Sequence, residues 1–271
     1  MAIRDPLITS LTATFKKILL SAVLLPSVSL ALPMEYTASY NIEKFGMVVA
    51  KSDYSLKHEN NGVRLIQHSE PVGLAALLRN DTLDENSFLS VKNDQLLLTE
   101  FSYKQKSPDK KNRDIQLKID WVQSENKLLG NVSGTVKGKK ISLNLNKPAW
   151  DTSTYQIPLM ANTREGTEPQ KITMIVKGRF AEYTFITHGS EEIEVNGNTI
   201  KAIKIERDSG THKSPIYLWL APSLNNLPVK IEKWKNGKLQ LTMLLNHAKF
   251  ASDSNIEFNA VVEHSEEFDD L

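Results

Sequence analysis

The chain of 271 residues contains no cysteine. Disulfides, thiol nucleophiles, cysteine-ligated zinc and anchoring as an acylated lipoprotein are all excluded by that absence. Charge of one sign is missing as well: 33 basic and 32 acidic side chains leave a formal net charge of +1, which supplies no bulk attraction to polyanions. With 40% apolar residues the chain is too hydrophobic and too evenly charged to remain disordered. A globular body follows, with a core that buries roughly 70% of the unfolded surface.

Long apolar runs are scarce. The notable one, Ile18 to Leu30, follows Lys16 and Lys17 and ends in Ser29 and Ala31, the small residues of a cleavage site after Ala31. This is the pattern of a secretory signal peptide, expected to be removed. The run of about 13 residues, broken by Pro26, falls short of the ~20 that a membrane-spanning helix requires, and no later stretch approaches a transmembrane segment. Removing residues 1–31 takes away Arg4, Lys16, Lys17 and Asp5 and leaves 30 basic and 31 acidic groups. Those acids are uneven. Residues 251–271 carry seven of them, with no Lys or Arg, and are expected to form a solvated, disordered tail behind a body, 32–250, of net charge +6. Docking of that tail on the basic body is the alternative.

Period-two alternation broken by turn residues every 8 to 12 positions dominates the body, the signature of antiparallel β structure. Asn61-Gly62, Asn196-Gly197 and Asn236-Gly237 each lie between alternating segments, where Asn-Gly favours a type I′ hairpin. Further turns are expected at Phe45-Gly46, at the polar tip Ser107–Asn112 and at Lys177-Gly178. About a dozen strands result. Neither βαβ spacing nor a linker is present, so the expected fold is all-β with minor α: one antiparallel curved sheet closing into a barrel or half-barrel, with one or two short helices. The helices are expected at Val72–Leu78, apolar without alternation, and after Asp151 or Thr152, where Pro158 should bend or end the helix.

Motifs of catalysis are absent. No G-x-S-x-G surrounds Ser190, no Walker or dinucleotide glycine pattern occurs, and the six histidines form no H-x-H, H-E-x-x-H or i, i+4 pair. His58 and His68 are placed to face each other across the first Asn-Gly hairpin, as half-exposed strand residues or as a joint metal site. Glu191 and Glu192, adjacent in a strand, point to opposite faces and cannot share a substrate. No catalytic residue, metal or cofactor is assigned, and the protein is read as not an enzyme.

Basic runs occur at Lys104, Lys106, Lys110, Lys111 and Arg113, and at Lys137, Lys139 and Lys140. Without interleaved aromatics they do not suggest nucleic acid; solvated loops, blunted sheet edges or contact with anionic lipid or polysaccharide are the readings left. The Val72–Leu78 leucines either complete the core or form a lid, plug or membrane-touching loop.

The C-terminal run Pro215-Ile216-Tyr217-Leu218-Trp219-Leu220-Ala221-Pro222, followed by Leu227-Pro228-Val229-Lys230-Ile231-Glu232 and Asn236-Gly237-Lys238-Leu239, resembles the closing strands of the exported bacterial proteins grouped as domain of unknown function 3108. The Tyr36–Ile42 segment with its Gly46 turn and the Trp150-Asp151-Thr152-Ser153 segment extend the likeness. It implies a largely antiparallel β-barrel or curved sheet, a periplasmic or cell-envelope location, and no established catalytic residues. Two functional expectations follow. The first is non-catalytic binding of a lipid, acyl chain or other amphiphile in a concave face, with Leu74, Leu77, Leu78, Tyr217 and Trp219 as candidate contacts; the second is a scaffold that acts through contacts with another envelope protein.

Overall fold

The computed structural model describes residues 32–78, 81–107, 112–124, 127–208, 214–251 and 257–259. The leader lies outside them, as do Lys110 and Lys111. Strands β1 (Tyr36–Lys44), β2 (Met47–Glu59), β3 (Gly62–Pro71), β4 (Thr82–Lys92), β5 (Gln95–Lys106), β6 (Arg113–Ser124), β7 (Lys127–Val136) and β8 (Lys139–Leu145) form an antiparallel meander, with helix α1 (Leu74–Leu78) between β3 and β4. Strand β9 (Ala149–Trp150) and helix α2 (Gln156–Asn162) lead to a second meander of β10 (Gln170–Val176), β11 (Arg179–Val195), β12 (Asn198–Asp208), β13 (Ile216–Ala221), β14 (Leu227–Lys235) and β15 (Lys238–Phe250). β15 then pairs with β1, and β9 pairs in parallel with β10. One nearly closed, barrel-shaped sheet results, in the order β8 to β1, then β15 down to β9. Its edges are β8 and β9; among the described residues no ladder joins them.

Among the described residues the strands number sixteen, above the dozen expected, in part because short segments such as β9 and β16 (Glu257–Asn259) carry no alternation. β16 falls inside the stretch read as a disordered tail. It pairs with His247–Lys249 of β15, beyond the point where β14 stops, and buries Phe258.

Turn chemistry explains the hairpins. Asn196 and Gly197 have φ of 47° and 79°, and Asn236 and Gly237 have 51° and 71°, the paired positive values of a two-residue turn. The first Asn-Gly differs: Glu59 pairs with Gly62, so the turn is Asn60-Asn61, with Asn60 at φ 49°, and Gly62 has entered the strand. A Cβ on Gly62 would stand 2.0 Å from the Leu89 carbonyl oxygen, so the glycine serves close approach of β4. That shift also corrects the histidine pairing, since His58 lies opposite Val63 and His68 opposite Asp53.

Helix α2 also departs from expectation. Pro158 occupies its third position, inside the first turn, where the backbone N–H has no intrahelical acceptor to lose, so it neither bends nor ends the helix. Asp151 caps a turn before the helix, accepting from the Ser153 and Thr154 amides at 2.8 and 2.9 Å.

The described interior is packed with side chains. Leu56, Val63, Leu65, Leu89, Leu97, Ile119 and Leu145 fill it on the β1–β8 side, and Tyr155, Leu159, Met174, Phe185, Ile205 and Leu218 form a second cluster around α2.

Candidate functional site

Antiparallel order places alternate connections at the same end of the barrel. The β1–β2 turn, α1, the β5–β6, β7–β8, β10–β11 and β12–β13 connections and the β14–β15 turn share one end, called here the α1 end. Large apolar side chains stand exposed there. Leu74, Leu77 and Leu78 are 76%, 82% and 80% exposed, and none of the α1 residues is buried. This settles the alternatives for the Val72–Leu78 segment against core packing. α1 packs lightly against β2 and β3, and the Val72 amide donates to the Val49 carbonyl at 3.1 Å. Gly73, at φ 56°, turns the chain off the strand into the helix. Phe45, 85% exposed, and Met47 and Val48 project from the neighbouring hairpin tip, so six large apolar side chains stand at one rim.

Cations surround that rim. Lys44 precedes Phe45, with its ammonium 5.2 Å from the ring centroid. Lys104, Lys106 and Arg113 flank the β5–β6 connection, and Lys137, Lys139 and Lys140 make the β7–β8 turn. Lys177 and Arg179 follow at the β10–β11 turn, and Lys233, Lys235 and Lys238 at the β14–β15 turn. Among the described residues none of these cations is in a salt bridge; pairs such as Arg64–Glu59, Lys147–Glu182 and Lys230–Glu232 form elsewhere. Their crowding is felt: burial first, then the charges of Lys177, Arg207 and Lys235, push the Lys233 ammonium below its ordinary range.

A second cluster lies inside the barrel, in the half of the interior nearer α1. Gln67 of β3 and Glu85 of β4 are register partners on the inner face. The Thr152 hydroxyl donates to Glu85 Oε1 at 2.6 Å; Ser153 Oγ donates to Glu85 Oε2 and lies 2.6 Å from Gln67 Oε1. Gln67 Nε2 reaches Ser52 and Ser69 at 3.0 and 3.2 Å, and those two hydroxyls are 2.7 Å apart. Burial, reinforced by the nearby Asp151 carboxylate, raises Glu85 to about 7, while the Ser153 and Thr152 hydrogen bonds oppose the shift. The arrangement clamps the 151–154 turn across β2, β3 and β4. Sequence reasoning missed it, although Glu85 and Ser87 stand in phase with Leu89, and Gln67 and Ser69 in phase with Val63 and Leu65, the one available signal.

Tyr217 and Trp219 lie on one face of β13, ring centroids 6.3 Å apart. Trp219 is buried beneath Lys204 and Lys230, whose ammonium nitrogens lie 5.1 and 4.6 Å from its ring centroid, and its indole N–H donates to Glu191. In the sheet order β13 stands five places from β3, so the structure groups the three leucines with Phe45, Met47 and Val48 and not with these aromatics. The two histidines likewise serve separate partners: His58 Nε2 meets the Pro33 carbonyl at 2.9 Å, and His68 Nδ1 meets Asp84 at 2.6 Å, which raises the His68 pKa. Among the described residues no cluster of three or more potential metal ligands occurs, and no helix is long and apolar enough to cross a membrane.

Residues 35–244 match the model of a protein family described as a protein of unknown function, DUF3108. The chain belongs to that family. No curated protein matches it. Among solved structures, the DUF3108 chain is similar to a β-barrel-like protein of domain of unknown function DUF1849 from Brucella abortus, with 11% identity, a TM-score of 0.54, and coverage of 83% of this chain and 100% of the other. A Bacteroides fragilis protein with a YmcC-like fold gives 11% identity, a TM-score of 0.33, and coverage of 79% and 95%. The first likeness is one of fold: a barrel-like sheet.

Proposed function

We propose that this DUF3108 protein is a non-catalytic cell-envelope protein that binds an amphiphile, a lipid or acyl chain, at the apolar rim of the α1 end. One observation carries the reading: Leu74, Leu77 and Leu78 stand free of the core beside Phe45, Met47 and Val48. Removing such a side chain completely from water contributes ~1.5–3 kcal/mol, and contiguous exposed apolar surface of this kind marks an interaction site. The interior offers the ligand no comparable surface among the described residues, because Leu56, Leu65, Leu89 and their neighbours fill it, which moves the expected contact from a concave face to the rim. Export is supported by the leader pattern of residues 1–31, and a non-catalytic role by the Glu85–Ser153 cluster, whose hydrogen bonds are used in holding a turn. Tyr217 and Trp219 serve in this reading as sheet packing.

The test is binding to uncharged phosphatidylcholine vesicles by co-sedimentation, together with mass spectrometry of lipids carried by protein purified from its own envelope fraction. The triple variant Leu74→Ser, Leu77→Ser, Leu78→Ser should lose at least about tenfold in binding at an unchanged melting temperature, since none of the three is buried. Equal binding by variant and parent would overturn the reading.

A further inference from the structure

Resting on the amphiphile-binding reading, we propose that the ligand is met as the surface of an anionic phospholipid bilayer, on which the barrel stands with its α1 end down and its far end pointing away. The turns at that end carry cations on both meanders, from Lys44 at the hairpin tip through Lys139 at the β7–β8 turn to Lys235 and Lys238 at the β14–β15 turn. Lys44, Lys139, Lys235 and Lys238 are exposed, and among the described residues none of them is in a salt bridge. The acids at the same end are fewer among the described residues: Glu43, Glu70, Asp81, Asp84, Asp114, Glu206 and Asp208, against twelve Lys and Arg at the turns named above. A rim that is apolar at its centre and cationic around it matches an interface whose headgroups are negative and whose acyl boundary lies just below. Orientation follows from the opposite end, where acids and bases alternate: Glu59 follows Lys57 along β2, Asp94 follows Lys92 at the β4–β5 turn, and Lys201 is the register partner of Glu192. The overall charge of +1 therefore conceals a one-ended field.

The experiment compares vesicles of phosphatidylcholine alone with vesicles that also contain phosphatidylglycerol, using protein purified from cells with every variant in the same processed form. The expected result is binding to the anionic vesicles at least about tenfold tighter, with the excess abolished by high salt. The triple variant Lys139→Glu, Lys235→Glu, Lys238→Glu should lose that excess and keep its binding to uncharged vesicles. The matched control Lys57→Glu, Lys92→Glu, Lys127→Glu, equal in charge change but at the far end, should bind as the parent does. Equal binding to both vesicle types, or equal loss in both triple variants, overturns the anionic-surface proposal and leaves the amphiphile reading in place. Binding to neither vesicle overturns both.

Discussion

At the far end of the barrel the Asn60-Asn61 turn is tied down: Asn61 Nδ2 donates to the Val91 carbonyl at 3.0 Å and the Val91 amide to the Asn61 carbonyl at 2.8 Å. Gly62 beside it admits the Leu89 carbonyl to a place that a Cβ would occupy. At the α1 end the Phe45-Gly46 turn is built to the same two-residue plan, yet a Cβ on Gly46 would have nothing within 4 Å. Phe45 there faces solvent, whereas Leu89 and Val63 at the far end are fully buried. Equivalent hairpins thus finish in opposite ways. Where a turn is clamped to the next strand its residues are chosen for fit; where the chain stands free, as at Phe45 and at Leu77 of α1, its apolar side chains are left uncovered, and stability alone gives no reason for them.

The largest effect expected from breaking this contrast is at Gly62. Gly62→Ala should cost about 3 kcal/mol or more, seen as a lowered urea midpoint, whereas Gly46→Ala should cost only about 1 kcal/mol from its φ of 76°. Similar costs from both would show that the two turns are equally constrained. Leu89→Ala should lose about 3 kcal/mol, while Leu77→Ala should stay within about 0.5 kcal/mol of the parent. Calorimetric melting of the pair decides this, and an equal loss would mean that α1 is packed after all.

The interior cluster extends the comparison into pH. Glu85 is held at about 7 in the fold against an ordinary 4.5, so between those values the folded chain keeps a proton that the unfolded chain has released. Its contribution to stability is fully present below pH 4.5 and falls as pH rises through 7, by up to about 3 kcal/mol. Glu85→Gln should flatten that part of the stability profile, measured by urea denaturation across the window; an unchanged slope would mean that Glu85 is ionised throughout. The smallest effect expected is at Lys204. Lys204→Ala should cost ~0.5–1 kcal/mol and shift Trp219 fluorescence without touching vesicle binding, because Lys204 and Trp219 pair mid-strand, away from the turns of the α1 end.

Much of the fold was legible because local chemistry determines it. Asn196-Gly197 and Asn236-Gly237 turn where their positive φ requires, and β10 and β11 meet across the turn expected at Lys177-Gly178. Asn61-Gly62 misled by one residue because the close approach of Leu89, a long-range contact, placed the glycine in the strand. The Val72–Leu78 segment forms the short helix expected of it, but its sequence left open where its leucines lie. Apolar composition reports that side chains prefer to leave water, and it is silent on whether this fold provides somewhere to go; five residues lying against the ends of β2 and β3 find no layer above them. Gln67 and Glu85 escaped notice for the converse reason. Alternation is read by assuming that polar residues face outward, and these face inward because the 151–154 turn, more than sixty residues downstream of Glu85, brings them hydroxyl partners. The convergence of the basic loops was likewise invisible until strand order put alternate turns together.

The sheet that carries these ends is a split ring. With no ladder joining β8 and β9 among the described residues, the gap can widen without parting two hydrogen-bonded strands, which a fully closed barrel cannot do. Radial breathing is then limited by side-chain packing and by the hydrogen bonds that hold the 151–154 turn, directly after β9, to Glu85 and Gln67.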